Sequence, residues 1–273
     1  MIIIDALTGT TLKSFIALSP TINSLGRPPY FTHLIKWSPD GQYLGAVSSD
    51  GVDYVSSKYI TVWNVSTGEA LKNEPVTNPY IDDFEWNPKN LHEAVYSREI
   101  GDAFVFDPLN GTVISTLQIG KLGDQAPGQY EMLALGWSHD GTKLAAAAPY
   151  FDENAMSPIR DKDVVVIWDA KSFSVMTKLD NLSVFGSSSS IRWSVDDNYL
   201  LVGGASSIQV IDVKAGHIKA AINTLTPIWA FTWSSNDYKI IVCNENPKNG
   251  VNINIINLLS FSNTYLQPKR KLG

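Results

Sequence analysis

The residues able to do chemistry are few and scattered. Four histidines occur: His33, His92, His139 and His217. A zinc site would want two of them a few residues apart with further ligands close by, and no pair here has that spacing. The single cysteine, Cys243, lies in the apolar run YKIIVCNE with no histidine near it. It reads as a small core residue and cannot form an intrachain disulfide. The stretch FDENAMSPIRDKD offers Asp152, Glu153, Asp161 and Asp163, but not the alternating acidic spacing of a calcium loop, so it reads as a solvated acidic loop. The run GSSSS, Gly186 to Ser190, is a polar loop. No G-x-S-x-G elbow, C-x-x-C pair or phosphate-cradling glycine loop occurs. The expectation is a chain that is not an enzyme, with no catalytic residues, no metal and no cofactor.

Composition narrows the partners. The 273 residues are 44% hydrophobic and 18% charged, enough to build a core. A formal net charge of −6 argues against nucleic acid, whose affinity rests on clustered Lys and Arg. The one basic run, PKRKLG at 268–273, reads as a short solvated tail. No stretch approaches the ~18 apolar residues of a membrane span. The start, MIIIDALTG, has no basic region and carries Asp5 inside its apolar run, so it does not read as a secretory signal. A reducing, cytoplasmic setting is expected, with the nucleus as the alternative.

The elements that would position any site are repeats. Five segments align on a tryptophan: LIKWSPDGQYLGAVSS, DDFEWNPKNLHEAVYS, LALGWSHDGTKLAAAA, SSIRWSVDDNYLLVGG and AFTWSSNDYKIIVCNE. The tryptophans are Trp37, Trp86, Trp137, Trp193 and Trp233. Each segment reads as a strand, a polar turn and a second strand, with Asp capping the turn and Gly supplying positive φ. A second series follows: YITVWNVSTGEAL, AFVFDPLNGTVIS, VVVIWDAKSFSVM, SIQVIDVKAGHIK and VNINIINLLSFSN. Its turn residues are Asn64, Asp107, Asp169, Asp212 and Asn257; MIIIDALTGTTLKSF, with Asp5, is a sixth copy. Two hairpins per repeat give a four-stranded antiparallel unit, with strands a to d. Such a sheet buries both faces only by packing against copies of itself. The aligned tryptophans are expected to wedge between neighbouring sheets.

The pattern WSPDGQYL…ITVWNVSTGE resembles the WD40-repeat β-propeller family, over residues 1–267. Trp63-Asn64 and Trp168-Asp169 stand at the family's Trp-Asp dipeptide. The family's Gly-His dipeptide is missing, with His33 alone near its place, so its hydrogen-bond network is not assigned. The resemblance implies an all-β fold: five full blades plus an N-terminal half-blade, six-blade-like and incomplete or open. The stretch SNTYLQP is expected to complete the last blade. A fragment of a longer protein, imperfect closure, and an open ring with strands donated by a partner or second copy all remain open.

In this topology the d–a and b–c connections share one face. The long ones span 17–33, 49–58, 118–131 and 149–163, and loops on a rigid scaffold carry function. Their aromatic, methionine and arginine residues are of the kinds that anchor interfaces. The candidate partner-binding face is Arg27, Tyr30, Phe31, Tyr54, Arg98, Tyr130, Tyr150, Phe151, Met156 and Arg160. The function expected is a non-catalytic scaffold for a protein or peptide partner. The alternatives are the propeller portion of a larger enzyme, such as a peptidase's gating domain, and a structural subunit completed in trans by partner strands.

Overall fold

The computed structural model describes residues 2–14, 31–49, 58–75, 81, 83–98, 102–119, 129–130, 134–151, 162–182, 190–204, 206–235, 238–246, 250–258 and 264–266. These are almost wholly β-strands and tight turns. The chain divides into two compact units, one formed by residues 1–99 and 103–117, the other by 100–102 and 118–273.

The first unit holds β1 (Ile2–Ile4), β2 (Thr11–Ser14), β3 (Phe31–Trp37), β4 (Tyr43–Ser49), β5 (Lys58–Asn64), β6 (Ala70–Pro75), β7 (Phe84–Trp86), β8 (Ala94–Arg98), β9 (Asp102–Phe106) and β10 (Val113–Gln118). β3 to β6 form one four-stranded blade and β7 to β10 the next, each in sequential order; β1 and β2 pair alone as a half-blade. Val47, Ile60, Val62, Phe84, Trp86 and Phe106 form the core between the two blades. Ile3 of the half-blade packs on Leu44, Ala46 and Trp63 of its neighbour.

The second unit holds β11 (Gln129–Tyr130), β12 (Ala134–Trp137), β13 (Lys143–Ala148), β14 (Tyr150–Phe151), β15 (Asp163–Asp169), β16 (Val175–Leu182), β17 (Ser190–Trp193), β18 (Tyr199–Gly204), β19 (Ser207–Asp212), β20 (His217–Thr224), β21 (Ile228–Trp233), β22 (Lys239–Asn246), β23 (Gly250–Asn257) and β24 (Thr264–Leu266). β12, β13, β15 and β16 make a third blade, and β17 to β20 a fourth. β11 and β14 form a separate two-stranded ribbon.

The fourth blade shows why its strands read as unbroken apolar runs. Leu200 and Val202 point into the core shared with the third blade. Leu201, between them, points into the core shared with the last blade. Alternate side chains leave opposite faces of a strand, and here both faces are covered.

One expectation is corrected. Among the described residues the last blade has three strands, β21 to β23, and the described part of SNTYLQP does not supply its fourth. Its strand β24 instead runs parallel to β20, with Ile222 opposite Thr264 and Thr224 opposite Leu266. An outer edge strand presents a row of free backbone groups to whichever strand reaches it, and the sequence of β24 does not specify which edge that is.

Four of the five aligned tryptophans are buried: Trp86, Trp137, Trp193 and Trp233. Trp86, Trp193 and Trp233 sit in cores shared by neighbouring blades, as expected. Three rungs of one ladder are visible. The Trp86 indole N–H donates to the Lys36 carbonyl, that of Trp193 to Gly136 at 2.8 Å, and that of Trp233 to Arg192 at 2.9 Å. Each acceptor directly precedes the preceding blade's tryptophan. Trp37 departs from the pattern and is 49% exposed.

Candidate functional site

The polar residues at the tight turns are spent on holding the backbone. In the first series the serine after the tryptophan is the centre of the a–b turn. The Ser38, Ser138 and Ser194 hydroxyls donate to Asp40, Asp140 and Asp196 at 2.6, 2.6 and 2.7 Å. The same oxygens accept the backbone N–H of Tyr43, Lys143 and Tyr199, each at 2.9 Å. In the second series the Asp or Asn caps the c–d turn. Asp5 accepts from the N–H of Leu7 and Thr8, Asn64 from Ser66 and Thr67, and Asp169 from Lys171 and Ser172. Side chains that complete a turn in this way replace missing backbone bonds. Gly9, Gly68, Gly111 and Gly216 take positive φ at the close of these turns; Phe173 occupies the same place with φ +54°.

Two histidines pair with carboxylates. His92 Nδ1 lies 3.0 Å from Asp107 Oδ2, linking the a–b and c–d turns of one blade. His139 Nδ1 lies 2.9 Å from Asp197 Oδ1, on the next blade. Asp197 also accepts the backbone N–H groups of His139 and Asp140 at 2.8 and 2.9 Å. Its side chain is buried and its φ is +56°, at a position where the related turns carry Gly41 and Gly141. The clasp between blades offsets the cost of that backbone conformation. Asp197→Ala is expected to cost about 1–2 kcal/mol, because two N–H groups lose their acceptor. Asp197→Gly should cost less, since glycine relieves the φ. Urea denaturation of the two variants checks the order.

Burial raises the Asp196 pKa, but hydrogen bonds from Tyr238, Ser194 and Asn198 outweigh it and bring the carboxyl down to about 2. At Asp140 burial is likewise outweighed, by Ser138, Thr142 and the Lys143 charge, and the carboxyl sits well below its usual range. A carboxylate depressed in the folded state adds stability above its unfolded pKa of 3.8 and loses it as pH falls through the folded value, about 2 for Asp196. Acid destabilisation is therefore expected between about pH 4 and pH 2. Asp196→Asn should flatten that part of a thermal-stability profile against pH.

A cleft of about 170 Å³ opens between the a–b turns of the last two blades, lined by Ser194, Val195, Asp196, Trp233, Ser234, Ser235 and Tyr238. It is smaller than the roughly 300–1,000 Å³ of small-molecule sites. The Tyr238 hydroxyl, which donates to Asp196 across it, has its pKa raised by that bond. Among the described residues no three His, Cys, Asp or Glu side chains gather as a metal would require. No helix among them is long and apolar enough to cross a membrane.

Of the sequence-predicted partner face, Arg27, Tyr30, Tyr54, Met156 and Arg160 lie outside the described residues, as does the 268–273 tail. Phe31 begins β3 and Arg98 ends β8. Tyr130 pairs with Tyr150, in the ribbon that also holds Phe151. Tyr150 is 9% exposed, with the Lys162 ammonium 5.1 Å from its ring centre. The serine that follows the tryptophan in four of the five a–b turns and the Asp197 clasp were missed from sequence. The recurring Trp-Ser pair and the Asp standing in a glycine's place were the signals for them.

No family model matches the sequence, and no curated protein matches it. Among solved structures, 1163 chains match, too many for the likeness to select a function. One comes from the crystal structure of a mitotic checkpoint complex: TM-score 0.63, 21% identity, covering 92% of this chain and 66% of that one. This chain thus spans just under two thirds of the length of the one it matches. The likeness, with the stacked antiparallel blades, shows the fold: an all-β, WD40-like β-propeller.

Proposed function

We propose that the chain is a non-catalytic scaffold that binds a protein or peptide partner through the face carrying its long d–a and b–c connections. The observation that carries this reading is the bladed fold itself, which resembles a chain taken from a multiprotein complex. The polar residues of the tight-turn side are engaged in turns and clasps, which leaves recognition to the opposite side. The negative charge favours a protein over a nucleic acid, in the cytoplasm or nucleus.

The test is a selection of peptides against the chain from a random library. Selected binders should lose at least tenfold in affinity for a chain carrying Arg27→Ala, Tyr54→Ala and Arg160→Ala together. Binders indifferent to that triple variant, but weakened by changes in the tight turns, would place recognition on the other side and overturn the reading.

A further inference from the structure

The cleft between the a–b turns of the last two blades carries a charge that nothing beside it balances. Asp196 stands in its wall. Oδ1 of Asp196 accepts the Ser194 hydroxyl at 2.7 Å and the Asn198 N–H at 3.2 Å; Oδ2 accepts the Asn198 side-chain amide and the Tyr238 hydroxyl. A carboxylate offers about four lone-pair sites, and here neutral donors fill them all. Those bonds keep it ionised at neutral pH. Among the described residues no Lys, Arg or His nitrogen forms an ion pair with it. The repeats supply a control. Asp140 makes the same turn one blade earlier and has the Lys143 ammonium at 3.6 Å. Tyr199 stands in the place of that lysine in the Asp196 turn.

The other walls include Trp233, Tyr238 and the exposed Val195. Tyr238 has φ +50°, a conformation that Gln42, Thr142 and Asn198 at the same point of the other turns do not take. Such outliers cost energy in a bulky residue and gather at ligand sites. The cleft therefore offers negative charge and aromatic rings, with no open lone pair on its carboxylate. A plain lysine or arginine head leaves water at a cost unless new acceptors meet its N–H groups. A methylated ammonium keeps the charge, has few or no N–H groups to satisfy, and is held by charge and aromatic rings. We propose that this cleft receives the side chain of a methylated lysine from a partner polypeptide. At about 170 Å³ the cleft is below the roughly 300–1,000 Å³ of small-molecule sites, so its occupant is one head group held by a chain outside it. A carboxylate engaged in a turn still carries its charge, so the tight-turn side keeps this one contact. The site does not use the long-connection face. One head group binds at about millimolar strength, weaker than a peptide selection retains, so the two readings fail independently.

The probe is a Gly-Lys-Gly peptide with blocked ends and a trimethylated lysine, titrated against the intact chain. Its controls are the unmodified peptide, a neutral peptide with carbon in place of the charged nitrogen, and choline. The readout is NMR of the indole N–H groups, with the Trp233 signal assigned through Trp233→Phe. Expected is a saturable shift of that signal, with affinity roughly threefold or more above every control. Asp196→Asn should erase the preference over the neutral peptide. Tyr238→Phe keeps the ring but frees a lone pair on Asp196, and should strengthen binding of the unmodified lysine. Four outcomes would overturn the proposal. One is no saturable shift up to about 50 mM peptide. Another is equal binding of the neutral or the unmodified peptide. A third is a preference that survives Asp196→Asn. The fourth is choline binding as tightly as the peptide, which would give the cleft to a free quaternary ammonium.

Discussion

Gly203→Ala is expected to destabilise the chain by about 3 kcal/mol, at the upper end of the range for overpacking. Gly203 pairs with Ile208 near the tip of the β18–β19 hairpin. A Cβ there would fall 2.4 Å from the Ser207 carbonyl oxygen and 2.7 Å from the Ile208 Cα. Both atoms are backbone, so no side-chain rotation relieves the contact; the hairpin must open, and the buried Leu201, Val202 and Ile208 are disturbed with it. Gly45→Ala is a useful contrast. Its Cβ would meet the Phe84 ring at 2.5 Å, but the neighbouring blade can yield there by shifting a side chain. Chemical denaturation followed by circular dichroism should show the larger loss for Gly203.

The second large effect is at the blade interface. Trp193→Ala is expected to cost about 3–5 kcal/mol, as large-to-small changes in cores do. Trp193→Phe keeps most of the apolar area but removes the 2.8 Å bond to the Gly136 carbonyl, at a cost of about 1–2 kcal/mol. The same change at Trp37, half-exposed in the chain alone, should cost no more than about 0.5 kcal/mol. The difference between positions 193 and 37 measures the neighbour's contribution. Equal costs would mean that burial at the interface is not what the tryptophan provides.

Much of the fold was legible because the repeats carry their own turn chemistry. Asp5, Asn64 and Asp169 mark the c–d turns in sequence and cap them in the structure. Trp86, Trp193 and Trp233 mark the blade interfaces. What resisted reading was non-local. The tryptophan pattern is the same at Trp37 as elsewhere, since exposure depends on a neighbour that residues 34–49 do not encode. The pairing of β24 with β20 was hidden because an edge strand's partner is set by which edge it reaches. The partner face was read from residue types alone, and Tyr150 shows the limit of that signal: a ring of the kind that anchors an interface is here buried within the chain itself.

The ladder of indole N–H groups ends on main-chain oxygens at every visible rung. A backbone carbonyl is present whatever residue occupies the position; Lys, Gly and Arg serve here in turn. Joining two blades therefore asks for no matched pair of side chains at this contact. At this one contact, a gene segment encoding one blade can be duplicated, lost or moved beside a different neighbour without a compensating change in the next. That freedom suits a lineage of such proteins to differ in blade number and to let individual repeats drift far in sequence. The weak internal identity of these repeats is the trace such a history would leave.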